Sequence, residues 1–137
     1  MSAQYIIVAL LVVAAAFAVV PLSRRRAALK AYWQRRCSGR AWKSSFPSAP
    51  KQQIRSFLYL FVDAFAFPRH RALQFLPSDR VLSVYRALYP SKGLPDALEV
   101  ETLAAQLQKT YGVSLSAIWS EELTLGQIFD RCRVPAA

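Results

Sequence analysis

A chain of 137 residues, 54% hydrophobic and with a net charge of +10, is long enough for one small domain and an appendage. The charge is uneven: residues 1–62 carry ten Lys or Arg and no acid, whereas 63–137 carry eight of each, so a hydrophobic and basic front precedes a neutral back. Cys37 and Cys132 lie far apart without a metal-ligand spacing, so neither a disulfide framework nor a zinc site is supported; both are read as reduced thiols on the cytoplasmic side.

Residues 5–22, YIIVALLVVAAAFAVVPL, are 18 positions without a charge. That is the short end of what crosses a bilayer core of roughly 30 Å, and it predicts a single transmembrane helix within residues 1–23. A cleaved secretory peptide is the competing reading, but the leader Met1-Ser2-Ala3-Gln4 has no positive residue and the run exceeds the usual apolar region. Arg24, Arg25 and Arg26 follow at once and would resist translocation. The expectation is therefore a single-pass protein of the cell inner membrane, its N-terminus outside and its C-terminal domain cytoplasmic.

Residues 24–43 hold eight basic side chains interleaved with Leu29, Tyr32, Trp33 and Trp42. Arg24, Arg25, Arg26, Lys30, Trp33, Arg35 and Arg36 are candidates for contact with anionic lipid headgroups, although a solvated flank would have the same composition. Basic and aromatic residues also bind nucleic acid, yet no recognition motif accompanies them, and no nucleic-acid partner is expected. Ser38-Gly39 breaks the helix, and 44–50, with two prolines and three serines, reads as a linker completing a juxtamembrane segment over 24–50.

A second helix is predicted over 51–67, with Ile54, Phe57, Leu58, Phe61 and Phe65 at helical spacing and Pro68 as its stop. Asp63 is the only acid in that run and reads as an exposed residue or the partner of a nearby arginine. His70 lies in a basic connection over 69–77; a single histidine supplies neither a ligand set nor a nucleophile pair. Ser78 is a plausible cap for a short helix over 79–89, and Pro90-Ser-Lys-Gly-Leu-Pro95 is rich in turn residues. Asp96 can cap the next helix, whose first turns carry Glu99 and Glu101, whose apolar positions are Val100, Leu103, Ala104, Leu107 and Tyr111, and which Gly112 stops. Thr124 then caps a final helix through Ile128, Phe129 and Cys132.

Asp96-Ala97-Leu98-Glu99, followed by Leu103, resembles the start of the second helix of acyl carrier proteins, where Asp-Ser-Leu presents the serine that receives phosphopantetheine. Val113-Ser-Leu-Ser-Ala-Ile-Trp119 is similar to that family's short third helix, and Leu123-Thr-Leu-Gly-Gln-Ile-Phe129 to the start of its last. The resemblance covers about residues 50–134 and implies an all-α domain over 51–137, a bundle of four to five helices. Here Ala97 holds the serine's position and has no oxygen, so no phosphopantetheine cofactor can be esterified there, and Ser91 lies at the wrong offset to replace it.

No nucleophile with a base, no phosphate-cradling glycine loop and no metal ligand cluster is visible, so no catalytic residue, cofactor or metal is assigned. The expected role is a non-catalytic, membrane-tethered interaction module, an accessory subunit docking on a larger membrane-associated complex, with Asp96, Glu99 and Glu101 as candidate partner-binding residues. The alternative is a protein that holds a lipid or acyl chain without covalent attachment, in an aromatic-rich groove between helices.

Overall fold

The computed structural model describes residues 3–89 and 98–133, with side chains for 4–12 and 27–89 in the first stretch. Regular structure among them is helical: α1 (Ala3–Trp33), α2 (Gly39–Ser45), α3 (Lys51–Ala64), a 3-10 helix (Arg69–Gln74), α4 (Val81–Leu88), α5 (Leu98–Tyr111), the single turn α6 (Leu115–Ile118) and α7 (Leu125–Arg133).

α3 is the central strut. Its stripe of Ile54, Phe57, Leu58, Phe61 and Val62 is buried, with the 3-10 helix on one side and α5 on the other. The aromatic rings form the core rather than an open groove. Trp42 meets Phe129 edge-on at 5.7 Å, Phe57 and Phe129 lie 5.3 Å apart, and Phe61 contacts Phe75 at 5.1 Å. Six aromatic side chains, those of Trp42, Phe57, Phe61, Phe65, Phe75 and Phe129, are among the largest fully buried groups. The expected aromatic-rich groove for an acyl chain is therefore filled by the protein itself.

α3 ends three residues earlier than Pro68 implied. Ala66 takes φ 57, and the Phe67 amide donates to the Val62 carbonyl at 2.8 Å, a helix stop that needs a left-handed residue and here uses alanine. Gly112, φ 68, ends α5 by the same device, as its position after Tyr111 predicts. α4 starts later than Ser78 implied: Val81 is its first residue and Arg80 supplies no side-chain cap. The Thr124 cap is present in reciprocal form, the Gln127 amide donating to Thr124 Oγ1 at 3.2 Å and the Thr124 amide to Gln127 Oε1 at 3.0 Å.

The transmembrane assignment needs correction. Among the described residues no helix is long and apolar enough to cross a membrane. The single-pass architecture and the inner-membrane localisation fall with that span.

The other end of α1 belongs to the domain. Leu29 is buried, and the Trp33 ring packs edge-on against Phe67 at 5.1 Å and Phe75 at 5.7 Å. The last carbonyl of α1 is capped from the 3-10 helix, where Gln74 Nε2 donates to the Trp33 oxygen at 2.8 Å and Arg71 Nη1 to the same atom at 3.4 Å. Beyond it, Ser38 Oγ and Trp42 Nε1 both donate to the Phe75 carbonyl, at 2.7 and 2.8 Å. Residues 28–49 thus contribute to the same core as α3 and α7.

Candidate functional site

Three surfaces carry charged side chains that chemistry or recognition could use, apart from the exposed apolar residues of α1 between Tyr5 and Val12. The first is the predicted partner face at the start of α5. Asp96 and Ala97 lie outside the described residues. Glu99 is not a free surface carboxylate: Tyr89 donates its hydroxyl to Glu99 Oε1, and Glu99 Oε2 is buried with no hydrogen-bond partner among the described residues. Glu101 is exposed, and beside it in the same turn Leu98 is 64% exposed. α5 therefore offers one carboxylate and one apolar side chain to solvent at its amino end.

The second surface is the basic segment. The side chains of Arg24, Arg25 and Arg26 lie outside the described ones. Lys30 and Arg36 are exposed, whereas Trp33 is packed into the aromatic cluster, with the Arg71 guanidinium 5.0 Å above its ring. Arg35 Nη1 donates to Asp79 Oδ2 at 2.6 Å, and its guanidinium lies 4.6 Å from the Tyr32 ring centroid. Of these residues, Trp33 and Arg35 are engaged within the fold.

The third surface was not legible as a site in the sequence. A groove of about 360 Å³ lies between α2 and α3, lined by Cys37, Gly39, Arg40, Lys43, Lys51, Ile54, Arg55 and Leu73. α2 contributes Arg40 and Lys43; α3 contributes Lys51, Ile54 and Arg55, whose i, i+3, i+4 spacing sets two cations over one buried isoleucine. That spacing was the signal available, hidden because Lys51 and Arg55 also read as the solvated side of an amphipathic helix. Lys43 Nζ donates to the carbonyls of Pro47 and Ala49 at 3.1 and 2.8 Å, which folds the α2–α3 connection over it.

Elsewhere some of the charges are paired. Asp63 accepts Arg69 through both carboxylate oxygens at 3.2 and 2.9 Å, and Arg80 meets Glu122 at 2.5 Å. His70 is exposed on the 3-10 helix, and among the described residues no group of three His, Cys, Asp or Glu side chains is placed to hold a metal ion. Cys37 is exposed; Cys132 is half-buried and its thiol is pushed up to about 12 by burial. Comparison with protein-family models, with curated proteins and with solved structures finds no match to this chain.

Proposed function

We propose that this chain is a non-catalytic interaction module, an accessory subunit that docks on a larger protein partner. The observation that carries the reading is the amino-terminal part of α1. Tyr5, Ile6, Ile7, Val8, Leu10, Leu11 and Val12 are all more than half exposed. Single exposed apolar residues are ordinary, but seven within two turns are a surface that another molecule covers.

The chemistry of the partner follows from the pattern. Consecutive apolar residues at about 100° per position face every side of the helix, so one flat face or one second copy would leave half of them wet. The fitting partner is an enclosing apolar groove between helices of another protein. Residues 1–23 contain no charge, so the contact has no ionic component. Each side chain fully buried there contributes about 1.5–3 kcal/mol. Leu98 and Glu101, exposed together on α5, supply a second contact point on the domain. A carrier-like scaffold with alanine at 97 suits such a role, since it retains a helical surface for docking without the oxygen that covalent carrying requires.

Recovery of the tagged full-length chain under mild conditions tests this. A second polypeptide should accompany it in fixed stoichiometry, and Ile7→Asn with Leu11→Asn should release that polypeptide while leaving the helical signal of the domain intact. A native chain that only self-associates, or a double variant that keeps its companion, would overturn the reading.

A further inference from the structure

The groove between α2 and α3 has a composition that neither the core nor the docking surfaces explain. We infer that it binds a single aliphatic chain ending in an anion, a medium-length fatty acid carboxylate being the simplest case. This inference does not depend on the docking role of α1.

The rim is an uncompensated cation cluster. Arg40, Lys51 and Arg55 have no carboxylate within ion-pair distance among the described residues, although Arg35, Arg69, Arg80 and Arg133 all do. Lys51 and Arg55 are like charges at i, i+4, and Lys51 occupies the first turn of α3, where the helix dipole is already positive. Both arrangements oppose helix stability while the groove is empty, and an anion on the rim relieves both. Guanidinium groups present the forked donors that a carboxylate or phosphate accepts.

The floor calls for hydrocarbon. Ile54 and Leu73 line it with the Cys37 thiol and the bare backbone of Gly39, so the deeper part has little to offer a polar ligand. Arg55 and Leu73 also border a neighbouring depression of about 220 Å³ that includes Leu58, Ala72 and His70. Leu73 and Arg55 are thus a wall shared by the two hollows.

Size and lining set aside the other occupants. About 360 Å³ is in the range of small-molecule sites, whereas a protein partner covers about 800 Å² on each side. Bases bind through stacking on exposed rings, and no aromatic side chain lines the groove; Trp42, adjacent in sequence to Lys43, is fully buried with its indole N–H given to Phe75.

Cys37 lets the site be read in the native protein, because it lines the groove and is exposed. The rate of N-ethylmaleimide addition to each cysteine is followed by peptide mass. Decanoate, below its micelle-forming concentration, should slow addition at Cys37 by about tenfold when present at about ten times its dissociation constant. Decanol and inorganic phosphate at the same concentration should change the rate by less than about twofold. Decyl phosphate, run in parallel, supports the site if it protects and distinguishes a phosphate-headed lipid from a free fatty acid as the better source. Lys51→Gln and Arg55→Gln alter exposed side chains, so the fold should survive, and each should raise the decanoate concentration for half-protection by about tenfold. No protection by either anionic chain, equal protection by decanol, equal protection by inorganic phosphate, or undiminished protection in both variants would overturn the proposal.

Discussion

Arg35 Nη1 lies 2.6 Å from Asp79 Oδ2, an ion pair that closes a loop of 44 residues. Asp79 is 8% exposed, and it does more than meet the arginine: its Oδ2 also accepts the Leu76 amide at 2.7 Å, and its carbonyl accepts the Leu125 amide at 2.9 Å. One residue thereby joins the end of α1, the approach to α4 and the entry to α7. Asp79→Ala should destabilise the domain by about 2–4 kcal/mol, because it leaves the Leu76 amide unpaired and takes the carboxylate from the Arg35 guanidinium. Asp79→Asn, which can still accept from Leu76, should cost about 1–2 kcal/mol. Denaturant unfolding of these variants and of Arg35→Gln gives the coupling; strictly additive losses would mean that the pair does not act as one.

Backbone geometry gives two substitutions of opposite sign. Ala66 occupies the left-handed position that closes α3, where a Cβ is strained, so Ala66→Gly should raise stability by about 0.5–1 kcal/mol despite the added freedom of the unfolded chain. Gly126 is the reverse case. A Cβ there would stand 2.9 Å from the Pro77 carbonyl oxygen, the same oxygen that accepts the Gly126 amide at 2.8 Å. Gly126→Ala should cost about 1–3 kcal/mol by pushing α7 away from the approach to α4. Thermal unfolding of both variants checks the pair, and a neutral Gly126→Ala would show that this contact yields.

The helices over α3, α5 and α7 were legible because periodicity, stop residues and the Thr124 cap all agree there. Residues 28–49 were not. Leu29, Tyr32 and Trp33 have the i, i+3, i+4 spacing of a buried stripe, but among many basic residues and beside an apolar run they also read as rings at a lipid interface. The pairing that decides between the two, Arg35 with Asp79 and Trp42 with Phe75, is non-local and leaves no mark on spacing. The same holds for the site: cations on α2 and α3 converge only when the 44–50 connection folds over Lys43. The contact between Tyr89 and Glu99 is equally invisible to helical spacing, since the two lie on either side of the segment 90–97.

The resemblance to acyl carrier proteins has its own test at Ala97. Incubation of the native chain with a broad phosphopantetheinyl transferase and coenzyme A should leave the intact mass unchanged, since no hydroxyl stands at that position. Ala97→Ser should cost little stability, serine being close to the middle of the helix scale and well tolerated near a helix start. Acquisition of the phosphopantetheine mass by that variant would support a retained transferase-facing surface; modification of the native chain would overturn the register.

Alkaline pH should weaken this fold in a way that traces to named groups. Burial pushes the Cys132 thiol up to about 12 from an ordinary 9.0. Burial, and secondarily Cys132, raises the Tyr111 phenol above its ordinary 10.0, and burial followed by the Asp79 carboxylate raises that of Tyr32. In each case the folded state holds a proton that the unfolded chain releases sooner. Their stabilising contribution is therefore complete below the unfolded values, near pH 9 for the thiol, and is lost as pH climbs toward the folded value near 12. The midpoint of thermal unfolding should fall steadily above pH 9, under reducing conditions that keep both thiols free. Cys132→Ala removes the first group to titrate and should flatten the profile between pH 9 and 10, at the cost of a lower midpoint at pH 7 from the lost packing on α7. Tyr111→Phe in that background should flatten it again above pH 10, since it removes the phenol and keeps the ring. A Cys132→Ala profile parallel to the native one would mean that the thiol reaches water without unfolding.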